Sequence, residues 1–244
     1  MFRKSVFLCS LCLLSFVFPV AAQDQTDSLD TIVVTGSRIG YRDLLKTPAI
    51  SLTKPGDFLT QDIILSNDSR DAETRKRELH DTIAKLIVAA GSRFRVLHNG
   101  AYRATLDRNS DQVPLEEDDD RPDANLVRIQ IRADLGGDSS RATAVIADMR
   151  RFAESAVKVG RTEIDFDGES GLAMSRPERY RYEIIAAIAD DARRLVDSLG
   201  MQCKVELDGL NSRIEWQRVS ASELLLYIPY TMTVGDCSKA TATQ

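Results

Sequence analysis

Apolar positions along this chain repeat with two periods, and the switches between them mark its elements. Phe58 to Leu65 (FLTQDIIL) reads as a strand. Asn67-Asp68-Ser69 follow as good N-cap residues, and Leu79, Ile83, Leu86, Ile87 and Ala90 then recur at helical spacing until Gly91 stops the pattern. Phe94–Leu97 and Ala101–Leu106 flank His98-Asn99-Gly100, whose Asn-Gly step predicts a hairpin. Leu126 to Ala133 (LVRIQIRA) alternates apolar and polar residues, which predicts a strand with an Arg/Gln face turned outward. After Gly136-Gly137, the positions Val145, Met149, Phe152, Ala153 and Ala156 trace one stripe of a second helix, and Thr162 to Phe166 returns to strand alternation. A third helix is predicted over 178–199, with Pro177 at its first position, Ser175 as its cap and Gly200 at its end. Its buried stripe would be Ile184, Ile188, Leu195 and Leu199, and Asp190 and Arg194 would pair on its wet side. Three strands close the chain, Lys204–Leu207, Arg213–Val219 and Leu224–Val234, the last interrupted by Pro229.

Strands and helices in this order predict an α+β fold: a mostly antiparallel sheet with three helices, built as two βαβ-like units sharing one core. The domain spans 49–236 and includes a loop over 107–123. In that loop Glu116-Glu117-Asp118-Asp119-Asp120 would stay solvated and mobile. Residues 23–48 read as an extended lead-in with one β-branched run, Thr31 to Thr35, and residues 237–244 as a tail.

Residues 1–22 stand apart. Arg3 and Lys4 precede an apolar run from Val6 to Val17, and small residues Ala21-Ala22 come before polar Gln23. That is the pattern of a secretory signal peptide cleaved after Ala22. No later segment is apolar enough to cross a bilayer as a helix. Export to a Gram-negative periplasm is the expectation. Cleavage would remove two positive charges from a chain of 244 residues whose formal charge is already −5. The composition, 43% hydrophobic and 28% charged, excludes disordered and collagen-like classes, and the net charge points away from nucleic acid.

Two of the four cysteines, Cys9 and Cys12, would leave with the signal, so Cys203 and Cys237 remain in a compartment that permits disulfides. A bridge would add about 3–4 kcal/mol on the chain-entropy model. If the last three strands form a meander, however, the two cysteines fall at opposite ends of the sheet. That arrangement predicts two inert, partly buried thiols, with the bridge as the alternative.

Candidate chemistry is sparse. His80 and His98 are the two histidines, no Gly-x-Ser-x-Gly elbow occurs, and Gly136-Gly137 lacks the residues of a phosphate cradle. Asp165-Phe166-Asp167-Gly168-Glu169 has alternate carboxylates like a calcium loop, but Arg176 stands where that loop needs a bidentate Glu. The expectation is no enzyme, no catalytic residue, no metal and no cofactor. Arginine is the remaining candidate. Arg128 and Arg132 on one strand face, with Arg179 and Arg181 on the third helix, could grip anionic lipid or an acidic partner. The alternative is that these and the neighbouring Arg176, Arg193 and Arg194 are paired with Glu183, Asp190, Asp191 and Asp197.

From about residue 58 to 234 the layout resembles the SIMPL domain family of exported bacterial envelope proteins. The resemblance rests on LVRIQIRADL, the helix with VIADM, the glycine-led strand GRTEIDF, the helix YRYEIIAAIADDARRLVDSLG and the strand CKVELDGL. It implies a ferredoxin-like body, homo-oligomer formation and contacts with other envelope proteins. The acidic insert at 116–120 and the segment before Phe58 depart from the family pattern. A second, short resemblance lies at residues 30–39 (DTIVVTGSRI), similar to the N-terminal segment of TonB-dependent receptors. It implies an accessory role in TonB-linked uptake, with Ile32, Val33, Val34 and Thr35 docking by β-augmentation. A chain this short with helices cannot supply the plug and barrel of a receptor. The alternative is a lead-in strand that pairs with its own sheet.

Overall fold

The computed structural model describes residues 31–34, 47–100, 103–107, 113–119 and 121–239. The signal segment, Thr35 and Asp120 lie outside them. The large sheet is organised around two long strands, β3 (Phe58–Asn67) and β7 (Arg121–Asp134). They pair antiparallel without a break from Phe58↔Asp134 to Asn67↔Asn125. On the far side of β7 lies β4 (Arg95–Asn99), followed by β5 (Arg103–Thr105). On the far side of β3 lie β8 (Glu163–Phe166) and β9 (Gly171–Ser175).

All of these pairings are antiparallel, so β3 and β4 run parallel with β7 inserted between them. Likewise β7 runs parallel to β8 and β9 with β3 inserted. Helix α1 (Ala72–Ala90) makes the first crossover and α2 (Ala142–Glu154) the second. The result is two interlocked split βαβ units, the ferredoxin-like order within an α+β fold. One side of the sheet, with Leu59, Ile63 and Leu65 of β3 and Val127, Ile129, Ile131 and Ala133 of β7, forms a core with Leu79, Ile83 and Leu86 of α1 and Met149, Phe152 and Ala153 of α2. Burying each of these large aliphatic side chains contributes about 1.5–3 kcal/mol.

Helix α3 (Arg181–Leu199) adds Ile184 and Ile188 to that core. Beside it stands a small sheet of β2 (Leu52–Pro55), β12 (Glu223–Tyr227) and β11 (Glu215–Arg218), ordered β11-β12-β2. Leu224 and Leu226 of this sheet are fully buried. Buried Arg218 ties it to the large sheet by donating to the carbonyl oxygens of Ser170 (2.6 Å), Ser220 (2.9 Å) and Ala221 (3.0 Å).

Several local expectations are corrected. The acidic run is no free loop: β6 (Glu116–Asp118) pairs with the start of β7, and Asp118 turns inward to an ion pair with Arg121 at 2.8 Å. Pairing the backbone and neutralising one carboxylate offset the local charge density. The N-cap of α1 is Asp71, which accepts from the Thr74 amide at 2.8 Å. Asn67 and Ser69 instead donate to the Glu78 carboxylate, each at 2.8 Å. A 3-10 turn, Pro177–Tyr180, precedes α3, and the Ser175 amide donates to Asp57 at 2.7 Å instead of Ser175 acting as the cap. On α3, Leu195 and Leu199 are not buried; Ala192 completes the stripe. Asp190 pairs with Arg193 rather than Arg194.

The predicted terminal meander does not form. The chain between Tyr227 and Thr231 leaves the small sheet, and β13 (Thr231–Lys239) pairs antiparallel with β10 (Met201–Asp208) as a separate ribbon. Cys203 and Cys237 therefore meet across two neighbouring strands and form a disulfide, with Cα atoms 4.0 Å apart. The expectation of two separate thiols fails because it assumed one sheet where there are two. The residues beyond 236 continue in strand as far as Lys239.

Candidate functional site

Four groups of residues carry the possible contacts with other molecules. The first is the β-branched lead-in. β1 (Thr31–Val34) pairs antiparallel with β9, in the register Ile32↔Met174, Val33↔Ala173 and Val34↔Leu172. It is thus the outermost strand of the large sheet, on the side opposite β5. Its backbone is engaged within its own fold, as a lead-in strand would be.

The second group is the arginines. Arg128 and Arg132 do share the sheet face opposite the helices, as alternation predicts. Arg128 donates to Asp167 at 3.1 Å and lies 3.5 Å from Glu116. Arg132 stacks 3.3 Å from the Phe58 ring centroid, with its Nε 3.5 Å from Asp134. Arg179 donates to Asp57 at 3.0 Å. Arg181 donates to the carbonyl oxygens of Ser212, at 2.8 Å, and of Leu210. The four are engaged in two separate places. Arg181 also lies 3.4 Å from Glu178, and of the helix carboxylates anticipated Asp190 does pair with Arg193, whereas Glu183 receives Lys54 at 2.7 Å.

Between the two β7 arginines lies a polar cluster that the sequence reading did not single out. Buried Gln130 donates to Asp62 of β3 at 2.8 Å, and Asn99 of β4 donates to the same carboxylate oxygen at 3.2 Å. Burial raises the Asp62 carboxyl above its ordinary value, partly offset by the Gln130 hydrogen bond and the Arg103 charge. A carboxylate in the middle of FLTQDIIL, on the face opposite Ile63, was the available signal.

The third group is apolar and exposed. Leu195 (36%), Leu199 (49%) and Met201 (38%) lie at the C-terminal end of α3 and the start of β10. Asp190, Arg193, Arg194 and Asp197 on the same helix carry charges of both signs. The fourth group is the cystine ribbon. A groove of about 350 Å³ separates it from α3, lined by Ala192, Arg193, Val196, Asp197, Cys203 and Val205.

A larger open groove of about 1070 Å³ runs along α1 opposite residues 113–117. On its wall, half-buried His80 places Nε2 3.1 Å from the Val113 carbonyl oxygen. His98 is buried in β4, opposite Ile129. Among the described residues, no three His, Cys, Asp or Glu side chains converge as a metal site, and no helix is long and apolar enough to cross a membrane.

No family model matches this chain. No curated protein matches it. A solved structure described as an uncharacterized conserved protein from Listeria innocua is similar at 9% identity over 78% of this chain and 97% of that chain, with a TM-score of 0.15.

Proposed function

We propose that this chain is an exported, non-enzymatic protein of the bacterial cell envelope, of the SIMPL-like type, that works by assembling with copies of itself and contacting other envelope proteins. The observation that carries this reading is the uncovered stripe Leu195–Leu199–Met201. Leu195 and Leu199 continue the helical spacing of the buried Ile184 and Ile188, Met201 follows just past the helix end, and the chain's own fold leaves all three exposed. Charges of both signs beside it allow the same surface on two copies to face each other with opposite charges apposed. The signal-like leader and the Cys203–Cys237 bond agree with an oxidising, extracytoplasmic home. The ferredoxin-like strand order agrees with what the family resemblance implies.

Light scattering on the chain from Gln23 tests it. The expected result is a defined oligomer that loses mass in a Leu195→Glu/Leu199→Glu variant with unchanged circular dichroism. A wild-type monomer at micromolar concentration overturns the assembly reading. The docking role of residues 30–39 in TonB-linked uptake is the second reading. It requires β1 to accept a partner on its outer edge or to leave β9. Equal binding of a TonB-type periplasmic domain with and without residues 30–39 would sink it.

A further inference from the structure

The ribbon of β10 and β13 is built unevenly along its length. At its base, Leu207 pairs with Met232 and Asp208 with Thr231, and Leu207, Leu210 and Tyr230 pack against the core. Gly209 is pressed against the Pro229 carbonyl so closely that a Cβ would sit 2.7 Å from that oxygen. The other end has none of these anchors. There the register slips between Gln202 and Lys204, the partner of Lys204 is Gly235, which has no side chain to pack, and Asp236 takes a left-handed φ of 49°. Each of these features weakens strand pairing. Among the described residues the ribbon has no third strand, and two-stranded ribbons are marginal in water. The groove at Val196 and Val205 shows that α3 does not close fully on this end. Apart from its own backbone pairs, Met201↔Lys239, Gln202↔Ser238, Lys204↔Gly235 and Val205↔Val234, the outer half is tied across by the Cys203–Cys237 bond, whose Cys237 side is exposed.

We infer that Cys203–Cys237 is a site of thiol–disulfide exchange with a dithiol reductant, and that its reduction releases the outer half of the β10–β13 ribbon while the ferredoxin-like core stays folded. A thiolate of the dithiol attacks Sγ of Cys237, the more exposed sulfur. The Sγ–Sγ bond breaks, and its electron pair leaves with Sγ of Cys203, which takes a proton from water. The second thiolate of the dithiol then attacks the mixed disulfide, frees Cys237 as a thiolate that is in turn protonated, and departs as an oxidised disulfide. Two electrons pass to the cysteine pair, and the ribbon loses the closure of a loop with a sequence separation of 34. With that constraint gone, residues 201–205 and 234–239 separate. The groove wall at Ala192 and Val196 then opens onto the exposed Leu195 and Leu199 of the same helix. This holds whether the protein is a monomer or an oligomer.

The test is hydrogen exchange with mass spectrometry on the full mature chain, oxidised and after dithiothreitol, with alkylation to count free thiols. The expected result is reduction without denaturant and exchange about a hundredfold faster, or more, at residues 201–205 and 234–238, the scale set by a loop of this length. Amides of β3 and β7 should keep their protection. A Cys203→Ser/Cys237→Ser variant should match the reduced wild type and ignore the reductant. If that variant fails to fold, reduction of the folded wild type still decides. A bond that yields only when β3 and β7 also exchange, or reduction that leaves the ribbon's protection unchanged, overturns the inference.

Discussion

Glu78 shows how much of this fold rests on single polar groups. Its carboxylate accepts from Asn67, Ser69 and the Arg161 amide, so it joins the start of α1 to the loop after α2. Gly160 makes room for it: φ is +58° there, and a Cβ would fall 2.0 Å from the carboxyl group. Gly160→Ala should therefore destabilise the protein by about 1–3 kcal/mol from backbone strain alone, read as a lower urea midpoint. Glu78 and Asp62 should also give opposite pH signatures. Hydrogen bonds hold the Glu78 carboxyl below its ordinary value, so its stabilisation is present above the ordinary carboxylate range and lost as pH falls through the lowered value. Burial raises Asp62, so its contribution is present below the ordinary range and lost as pH rises through the raised value. Urea midpoints across pH should show Asp62→Asn gaining on the wild type toward neutrality, while Glu78→Gln falls behind it there. Neither residue was legible as a hub in the sequence. Asp62 was one polar letter in an apolar strand, and Glu78 one acid in a charged helix, and their partners come from distant segments.

At the scale of elements, the apolar pattern placed all three helices and the four strands β3, β4, β7 and β8; β8 and much of β7 alternate, whereas β3 and β4 show as apolar runs covered on both faces. It misplaced what depends on a neighbour. Helix α3 repeats its apolar residues through Leu199, but the surface beneath them ends near Ala192, a limit that no local pattern records. Ile188→Ala should therefore lose about 2–5 kcal/mol, whereas Leu195→Ala should stay within about 0.5 kcal/mol by chemical denaturation of the monomer. The short strands β2 and β9 escaped notice for a related reason. β9 reads Gly-Leu-Ala-Met-Ser and is buried on both sides, so it shows no alternation. β2 is four residues whose partner, β12, lies far along the chain. The terminal strands were visible as apolar runs, but Leu224–Val234 read as one strand where β12 and β13 are two, and the assignment of the four to two sheets was not legible. Pro229 marked the break without saying where the chain would go next, and the disulfide followed from that destination.

The whole molecule is held together by exchange of strands between its halves. Each βαβ unit has its centre filled by a strand from the other: β7 sits inside the first and β3 inside the second. A fragment of residues 49–135 would keep β3, β7, β4 and α1 but lack Met149 and Phe152 of α2 and the strands that cover the other edge of β3. It should show no cooperative thermal transition by circular dichroism, while the chain from residue 49 to 239 should. The same interleaving sets a timetable. All three partners of β3, namely β7, β8 and β9, come later in the chain, and the last of them ends only at Ser175. Delivered N-terminus first, from a ribosome or through a membrane pore, the molecule's central strand is among the first pieces out and the last to be enclosed. A stall before Glu163 leaves Leu59, Ile63 and Leu65 on a bare-edged strand, the form most prone to pair with the wrong chain.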